Sequence, residues 1–479
     1  MDADPVVRPR LVQLASSLGF VVVLLDVSVV NVALGALQSD LQAGLGGLQW
    51  VINAYTLAFA ALLLTAGALG DRIGPRRSFA QGFALFIIAS LACGLATSLP
   101  VLIAARLVQG VGAALLVPNS LSLLNQVFRD PAARSRAVGW WGAGGAIALA
   151  AGPLVGGLLI DSIGWRSIFL INVPVGICGL WLAWRHAPTA LPQQRRGIDI
   201  PGQVTAALAL SCLTIALTET STRGWGDPMI LGLIAVAILI AALFVWLERG
   251  NPSAMVPLDL FRRRALSSAV LIGLAANLAF YGNIFLLSLY FQEIRHLSPE
   301  DTGLAFLPMT AMLVIANLIA SRIAPRVGPH RLTAVGMAVS AAGYCLLAGT
   351  TAATPYGDLV APMLLAGGGI ALVIPTITTA TLAAVPADRA GIASGLVNSA
   401  RQVGGMIGIA LFGYLVRNPD PAPFLQGMHQ ASYATSGLLI FGAVLGLFGI
   451  AGHDRQRKRT GSAAGARGAR PGTQAACRR

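Results

Sequence analysis

The sequence predicts an all-α membrane protein of fourteen transmembrane helices, built as two six-helix halves with two extra helices between them. Three features lead there. Of 479 residues, 56% are hydrophobic and only 11% charged, with a mean hydropathy of +0.73, whereas a soluble domain of this size carries about a quarter charged residues. Apolar stretches of roughly 20 residues, the length that crosses a bilayer, recur along almost the whole chain. Arginines cluster in every second connection between those stretches.

The spans lie near 11–34, 49–69, 78–98, 100–125, 137–160 and 167–184, then 201–219 and 228–247. Six more follow near 266–291, 302–321, 331–349, 358–382, 390–416 and 431–451. The most polar, 201–219, carries Ser211, Thr214 and Thr218, but without it the charge alternation breaks. MDADPVVRPR runs into the first span with no cleavage site, so that span is expected to be retained.

An even number of spans puts both ends on one side. That side collects Arg8 and Arg10; Arg72, Arg76 and Arg77; Arg129, Arg134 and Arg136; Arg185, Arg195 and Arg196. It continues with Arg249, Arg262, Arg263 and Arg264; Arg322, Arg326 and Arg331; Arg389; and the basic tail. The opposite connections hold only Arg166, Arg223, Arg295 and Arg417. By the positive-inside rule both termini are cytoplasmic, in a cell membrane. The expected organisation is a cytoplasmic segment 1–10, a first half 11–185, an insertion 186–265, a second half 266–451 and a tail 452–479. The tail is polar and basic, expected to be disordered and able to rest on anionic lipid.

An internal repeat supports two halves. GDRIGPRR (70–77) and APRVGPHR (324–331) match at Arg72/Arg326, Gly74/Gly328, Pro75/Pro329 and Arg77/Arg331. ALLVP (114–118) and ALVIP (371–375) match at nearly the same offset. Parallel six-helix halves place a substrate site between them near the bilayer midplane.

Seven stretches bring a family into view. GALGDRIGPRR (67–77), with Gly67, Asp71, Arg72, Gly74, Arg76 and Arg77, resembles the major-facilitator loop motif G-x-L-x-D-R-x-G-x-[RK]-[RK]. LIAARLVQGVGAA (102–114), with Arg106, Gln109 and Gly110, resembles that family's fourth-helix motif, and AAGPLVGGLL (150–159) its fifth-helix antiporter motif. LLDVSVVNVAL (24–34), WVINAYTLAFA (50–60), WRSIFLINVPVG (165–176) and RAGIASGLVNSARQVGG (389–405) complete the set. Together they resemble the fourteen-helix drug:proton antiporters of the EmrB/QacA type, with the major facilitator fold, across nearly the whole chain. Gly35 stands where that family usually has Pro, and Pro325 stands opposite Asp71 in the second-half loop.

Individual residues then take expected roles. The loop with Asp71 faces the cytoplasm and reads as a latch that holds that side closed in one state; solvated topology charge is the alternative. Gly144, Ala148, Gly152 and Gly156, at spacing four, lay small residues along one helical stripe, beside Pro153 and Gly157. Such a stripe admits another helix at backbone distance, and the resemblance implies an exporter. Asp26 is the one charged residue of GFVVVLLDVSVVNVAL (19–34). It lies about 12 Å below the outer end of its span, and Arg106 about 9 Å below the same surface on span 4. Each alone costs about 2.5–3.5 kcal/mol at mid-membrane, so both should face the interior. Asp26 is the candidate proton carrier, with a static ion pair as the alternative.

Arg401 should also line the interior, with Gln402 pointing elsewhere on the helix. Asn31, Asn53, Tyr55, Asn277, Tyr281, Asn283 and Asn398 are candidates for the substrate path, although such residues are often helix-packing contacts. Glu219 and Glu293 read as a solvated outer rim.

The remaining classes fall away. Lys458 is the single lysine, so no P-loop exists, and no H-E-x-x-H motif occurs. The cysteines, Cys93, Cys178, Cys212, Cys345 and Cys477, lack metal-like spacing. A net charge of +14 without a folded soluble part does not suit nucleic acid. The expectation is a monomeric, proton-driven exporter of amphipathic drugs or natural-product antibiotics, with lipid and a small-molecule substrate as partners. It needs no catalytic residues, metal or cofactor beyond the proton gradient. Alternatives are an uptake permease for a defined solute and a membrane sensor without flux.

Overall fold

The computed structural model describes residues 8–189, 199–251, 254–385 and 389–450. The first half comprises α1 (Pro9–Val29), α2 (Leu34–Leu41), α3 (Leu45–Ile73), α4 (Pro75–Gly94), α5 (Leu99–Val127), α6 (Pro131–Ile163), α7 (Ser167–Leu170) and α8 (Asn172–His186). The insertion is α9 (Ile200–Arg223) and α10 (Pro228–Glu248). The second half comprises α11 (Arg264–Leu289), α12 (Pro299–Ala305), α13 (Leu307–Val327), α14 (Pro329–Leu347), α15 (Tyr356–Ala384), α16 (Ala390–Leu415) and α17 (Pro421–Leu445).

Helix starts follow from local chemistry. Most long helices begin with proline in the first turn, where a missing N–H costs nothing. Asp130, Asp199 and Asp227 cap α6, α9 and α10 by accepting from the backbone N–H groups of Ala133, Gly202 and Met229. The repeat reappears in three dimensions. Gly74 (φ +93°) and Gly328 (φ +89°) each turn the chain into a helix beginning with proline. Only glycine takes that φ without strain.

Twelve of the described helices are long and apolar enough to cross a membrane, not the fourteen expected. The protein is a multi-pass membrane protein of all-helical architecture. The expected spans near 331–349 and 390–416 are the helices α14 and α16 but fall outside the twelve. α14 opens on Pro329, His330 and Arg331, and α16 carries Asn398, Arg401 and Gln402 at its centre, so both lose mean hydropathy. Residues 190–198, with Arg195 and Arg196, and the tail with Cys477 lie outside the described residues.

We call the end of the bundle that holds the start of α1 proximal, and the opposite end distal. In the first half α3, α4 and α5 pack together, and α1 packs on α6 and α8. In the second half α11 packs on α16, and α14 on α15 and α17. α9 lies in the seam between the halves, against both α3 and α16, whereas α10 packs mainly on α9. At the proximal foot of this hairpin, Asp199 Oδ2 accepts from Met255 N and Glu248 Oε2 from Val256 N, both at 3.2 Å.

Among the described residues, hydrogen bonds between the halves gather distally. Gln292, on the π-helical extension of α11, donates to Val32 O (3.0 Å) and accepts from Gly35 N (2.8 Å). Ser288 donates to the Asn31 carbonyl. Gln49 donates to Ile409 O (2.9 Å), and Glu300 N donates to Asp161 (3.0 Å).

Candidate functional site

Asp26 and Arg106, placed at one depth by helix arithmetic, touch. α1 and α5 cross so that Arg106 Nη1 lies 2.5 Å from Asp26 Oδ2, with exposures of 1% and 0%. A buried pair is sustained by hydrogen bonds to its remaining donors and lone pairs, and here several are made. Asp26 Oδ1 accepts from Gln109 Nε2 (2.8 Å) and from Asn172 Nδ2 (2.9 Å). Arg106 Nη1 also reaches Gln109 Oε1 (2.7 Å), and its Nε donates to Val51 O (3.0 Å). Gln109 Nε2 donates further to Ser90 Oγ (2.9 Å). The guanidinium lies 4.3 Å from the Tyr55 ring centroid, a cation–π contact. Thus α1, α3, α5 and α8 meet on one carboxylate and one guanidinium, and α4 joins them through Gln109.

Glycine makes the crossing possible. A Cβ on Gly110, one turn from Arg106, would collide with the Tyr55 carbonyl. The stripe on α6 meets α1 in the same manner: Gly144 faces Val21, Gly152 faces Ser28, and Gly156 faces the Val29 backbone. Ser28 Oγ donates to Leu149 O across this contact (2.7 Å). Ala148 is buried on the stripe. Pro153 and Gly157 turn instead toward α12, where the Pro153 carbonyl would meet a Cβ on Gly303 and the Pro299 carbonyl one on Gly157, at 2.5 Å.

The loop motif makes contacts within the first half and with the start of the insertion. Arg76 donates to Thr189 Oγ1 (2.6 Å) and Trp184 O (2.5 Å) and lies over the Trp184 ring. Asp71, Arg72 and Arg77 are exposed. Gly67 packs toward Pro118, and Gly70 sits against Asn119, which donates to Ala66 O (3.2 Å) and Ser78 Oγ (2.9 Å).

The expected path residues divide. Arg401 Nε donates to Asn277 Oδ1 (3.3 Å) and Nη1 to Asn398 Oδ1 (3.0 Å), and Tyr281 lies beside Arg401. Asn53 instead donates to Thr218 on α9 (3.2 Å), and Asn283 to Thr435 on α17 (3.1 Å). Asn31 donates to Val27 O, four residues back in its own segment (3.0 Å). Glu219 accepts from Trp50 Nε1 (3.0 Å), joining α9 to α3. Asn172, Ser90, Gln49 and Gln292 were not singled out in the sequence. Asn172 alone had a signal, its place in WRSIFLINVPVG.

A second ion pair sits in a distal connection. Asp40 Oδ2 accepts from Trp165 Nε1 (2.8 Å) and Arg166 Nη1 (2.9 Å). The Trp165 N–H first, then Arg166, holds the Asp40 carboxyl below the usual carboxylate range. Among the described residues no cluster of three His, Cys, Asp or Glu could hold a metal ion.

Known proteins share this architecture. A solved bacterial homologue of the human lysosomal transporter Spinster superposes with a TM-score of 0.66 at 16% identity, covering 92% of this chain and 97% of that one. The xylose transporter XylE of E. coli gives 0.63 at 13% identity, covering 91% and 98%. In sequence, the methylenomycin A resistance proteins of Streptomyces coelicolor and Bacillus subtilis are each 37% identical, over 404 and 430 residues. They cover 84% and 89% of this chain and 85% and 92% of their own. The puromycin resistance protein pur8 of Streptomyces alboniger is 36% identical, with 92% of this chain and 91% of that protein covered. Residues 16–409 match the family model of the Major Facilitator Superfamily. With that match added to the helical architecture and the repeated Gly-Pro turns, the chain belongs to the major facilitator superfamily, whose members are transporters and not enzymes.

Proposed function

We propose that this protein exports amphipathic drugs or natural-product antibiotics across the cell membrane by alternating access, in exchange for protons. The observation that carries the reading is the Asp26 carboxylate, fully buried and tied to Arg106, Gln109 and Asn172. It is an ionisable group whose partners come from two other helices, α5 and α8, so relative helix motion changes its charge environment. Relatives named for methylenomycin A, tetracenomycin C and puromycin resistance support export over uptake.

On this reading all fourteen long helices span the membrane, both termini are cytoplasmic, and the distal end is outside. The distal bonds between the halves then close the outer side, which makes this conformation the inward-facing one. The subtype is the fourteen-helix drug:proton antiporter, with α9 and α10 as its additional pair. The protein acts as a monomer and needs no cofactor beyond the proton gradient. Asp71 and its neighbouring arginines act as a cytoplasmic latch whose contacts change between the two states.

Everted membrane vesicles test it. Wild-type protein should accumulate a toxic substrate when the interior is made acid, and a protonophore should abolish this. Asp26→Asn should lower accumulation to near background while counterflow exchange persists. Normal pH-driven accumulation by folded Asp26→Asn would refute the proton-carrier role. Protonophore-insensitive uptake into intact cells would favour the permease.

A further inference from the structure

We infer that the interior site binds an organic monoanion, a carboxylate or enolate, through Arg401 assisted by Asn277, Asn398 and Tyr281. This deepens the transport reading by naming the substrate class, and it rests on that reading.

The case begins with charge. Away from the two ends of the bundle, the charged side chains among the described residues are Asp26, Arg106 and Arg401. Asp26 and Arg106 neutralise each other at 2.5 Å. Arg401 stands alone. Its described partners are two neutral amide oxygens, on Asn277 and Asn398, and no described carboxylate lies within ion-pair distance. The interior therefore carries an uncompensated positive charge in a region where a lone cation is costly. A monoanion cancels it, whereas a cationic substrate adds to it.

Donor geometry points the same way. A guanidinium offers five N–H groups, and Asn277 and Asn398 occupy one each on Nε and Nη1. The remaining N–H donors suit a planar, two-oxygen acceptor. The side chain is braced for this: its Cγ would lie 3.1 Å from a Cβ on Gly273, so its stem rests on α11. Tyr281 lies beside it, packed on Gly405, and adds a phenolic donor.

Accessibility separates the two arginines. Arg106 is 1% exposed and sealed beneath Tyr55 and Phe169. Arg401, Asn398 and Tyr281 are partly exposed, although they lie on the packed faces of α16 and α11. Solvent therefore reaches Arg401 while the Asp26–Arg106 pair stays covered.

The test uses three probes of one shape, 1-naphthoate, 1-naphthamide and 1-naphthylmethylammonium, titrated against purified full-length protein in detergent at neutral pH. Quenching of tryptophan fluorescence reads binding. Wild type should bind naphthoate at least ~10-fold more tightly than the amide, and the ammonium most weakly. Arg401→Gln should lose the preference for naphthoate and keep its affinity for the amide. Arg401→Lys should regain part of the preference, since it restores charge but not the planar fork. Size-exclusion profiles establish that the variants are folded. The inference is overturned by equal or tighter binding of the ammonium, by an unchanged preference in Arg401→Gln, or by wild type binding none of the three. Vesicle transport is read separately. Arg401-dependent naphthoate binding without protonophore-sensitive export would refute the transport reading and leave the anion site standing.

Discussion

The two halves solve one problem in opposite ways. Each holds an arginine deep within the bundle. In the first half Arg106 meets a carboxylate, a glutamine and a backbone carbonyl and is sealed from solvent. In the second half Arg401 meets only amide oxygens and remains partly accessible. The same backbone repeat therefore carries a closed, neutral network on one side and an open, charged one on the other. On the proposed antiport reading, that asymmetry separates a shielded proton site from a reachable substrate site.

The largest effect should come from making one change on both sides. Arg106→Met removes one partner of a buried pair and strands Asp26, which should cost about 3–5 kcal/mol. Arg401→Met removes an unpaired cation and should leave stability equal or higher. Thermal unfolding in detergent checks both, and equal losses would erase the contrast.

Glycine substitutions probe the packing of each network. Gly110→Ala forces a Cβ against the Tyr55 carbonyl, which cannot move without α3, so a loss of about 1–3 kcal/mol is expected. At Gly405 the new Cβ would meet the Tyr281 ring at 3.0 Å. A side chain can yield there, so Gly405→Ala should cost less.

Gln292→Ala acts on the bonds that hold the halves together distally. It deletes the contacts to Val32 O and Gly35 N, each worth about 0.5–1.5 kcal/mol. Distances between spin labels at Ser39 and Ser298 should show a larger fraction of distally open molecules. An unchanged distance distribution would mean that the distal contact does not bias the two states.

The smallest effect concerns Asp40. Its carboxyl is held below its unfolded value, so its contribution is complete above the usual carboxylate range and lost as pH falls through the lowered folded value. Asp40→Asn should therefore melt slightly below wild type at neutral pH, and the two should converge in acid. A gap that persists at low pH would assign the difference to the Trp165 bond rather than to charge.

Much of this was legible in the sequence, for definite reasons. Span positions follow from apolar length. The shared depth of Asp26 and Arg106 follows from helix rise, and the turns at Gly74 and Gly328 follow from a repeated Gly-Pro. What escaped was pairing at long range. Nothing near Gln292 or Gln49 in the chain announces a bond to a carbonyl in the other half. Polarity inside a span has two meanings, and the bonds of Asn53 to Thr218 and of Asn283 to Thr435 could not be read from the chain. The fourteen expected spans became twelve because apolar length alone overlooks polar residues within a stretch, such as Arg331 in α14 and Arg401 and Asn398 in α16.

The hairpin of α9 and α10 has a mechanical consequence. Only 11% of the apolar window in α10 is buried, and Leu231, Ile238, Leu239, Leu243 and Trp246 stand exposed along it. Its 21 residues span about 31 Å, close to the hydrocarbon thickness of a typical bilayer. A thinner membrane favours tilting this helix. Because α10 leans on α9, and α9 is wedged between α3 and α16, that tilt is a lever whose fulcrum is the seam the two halves must slide along.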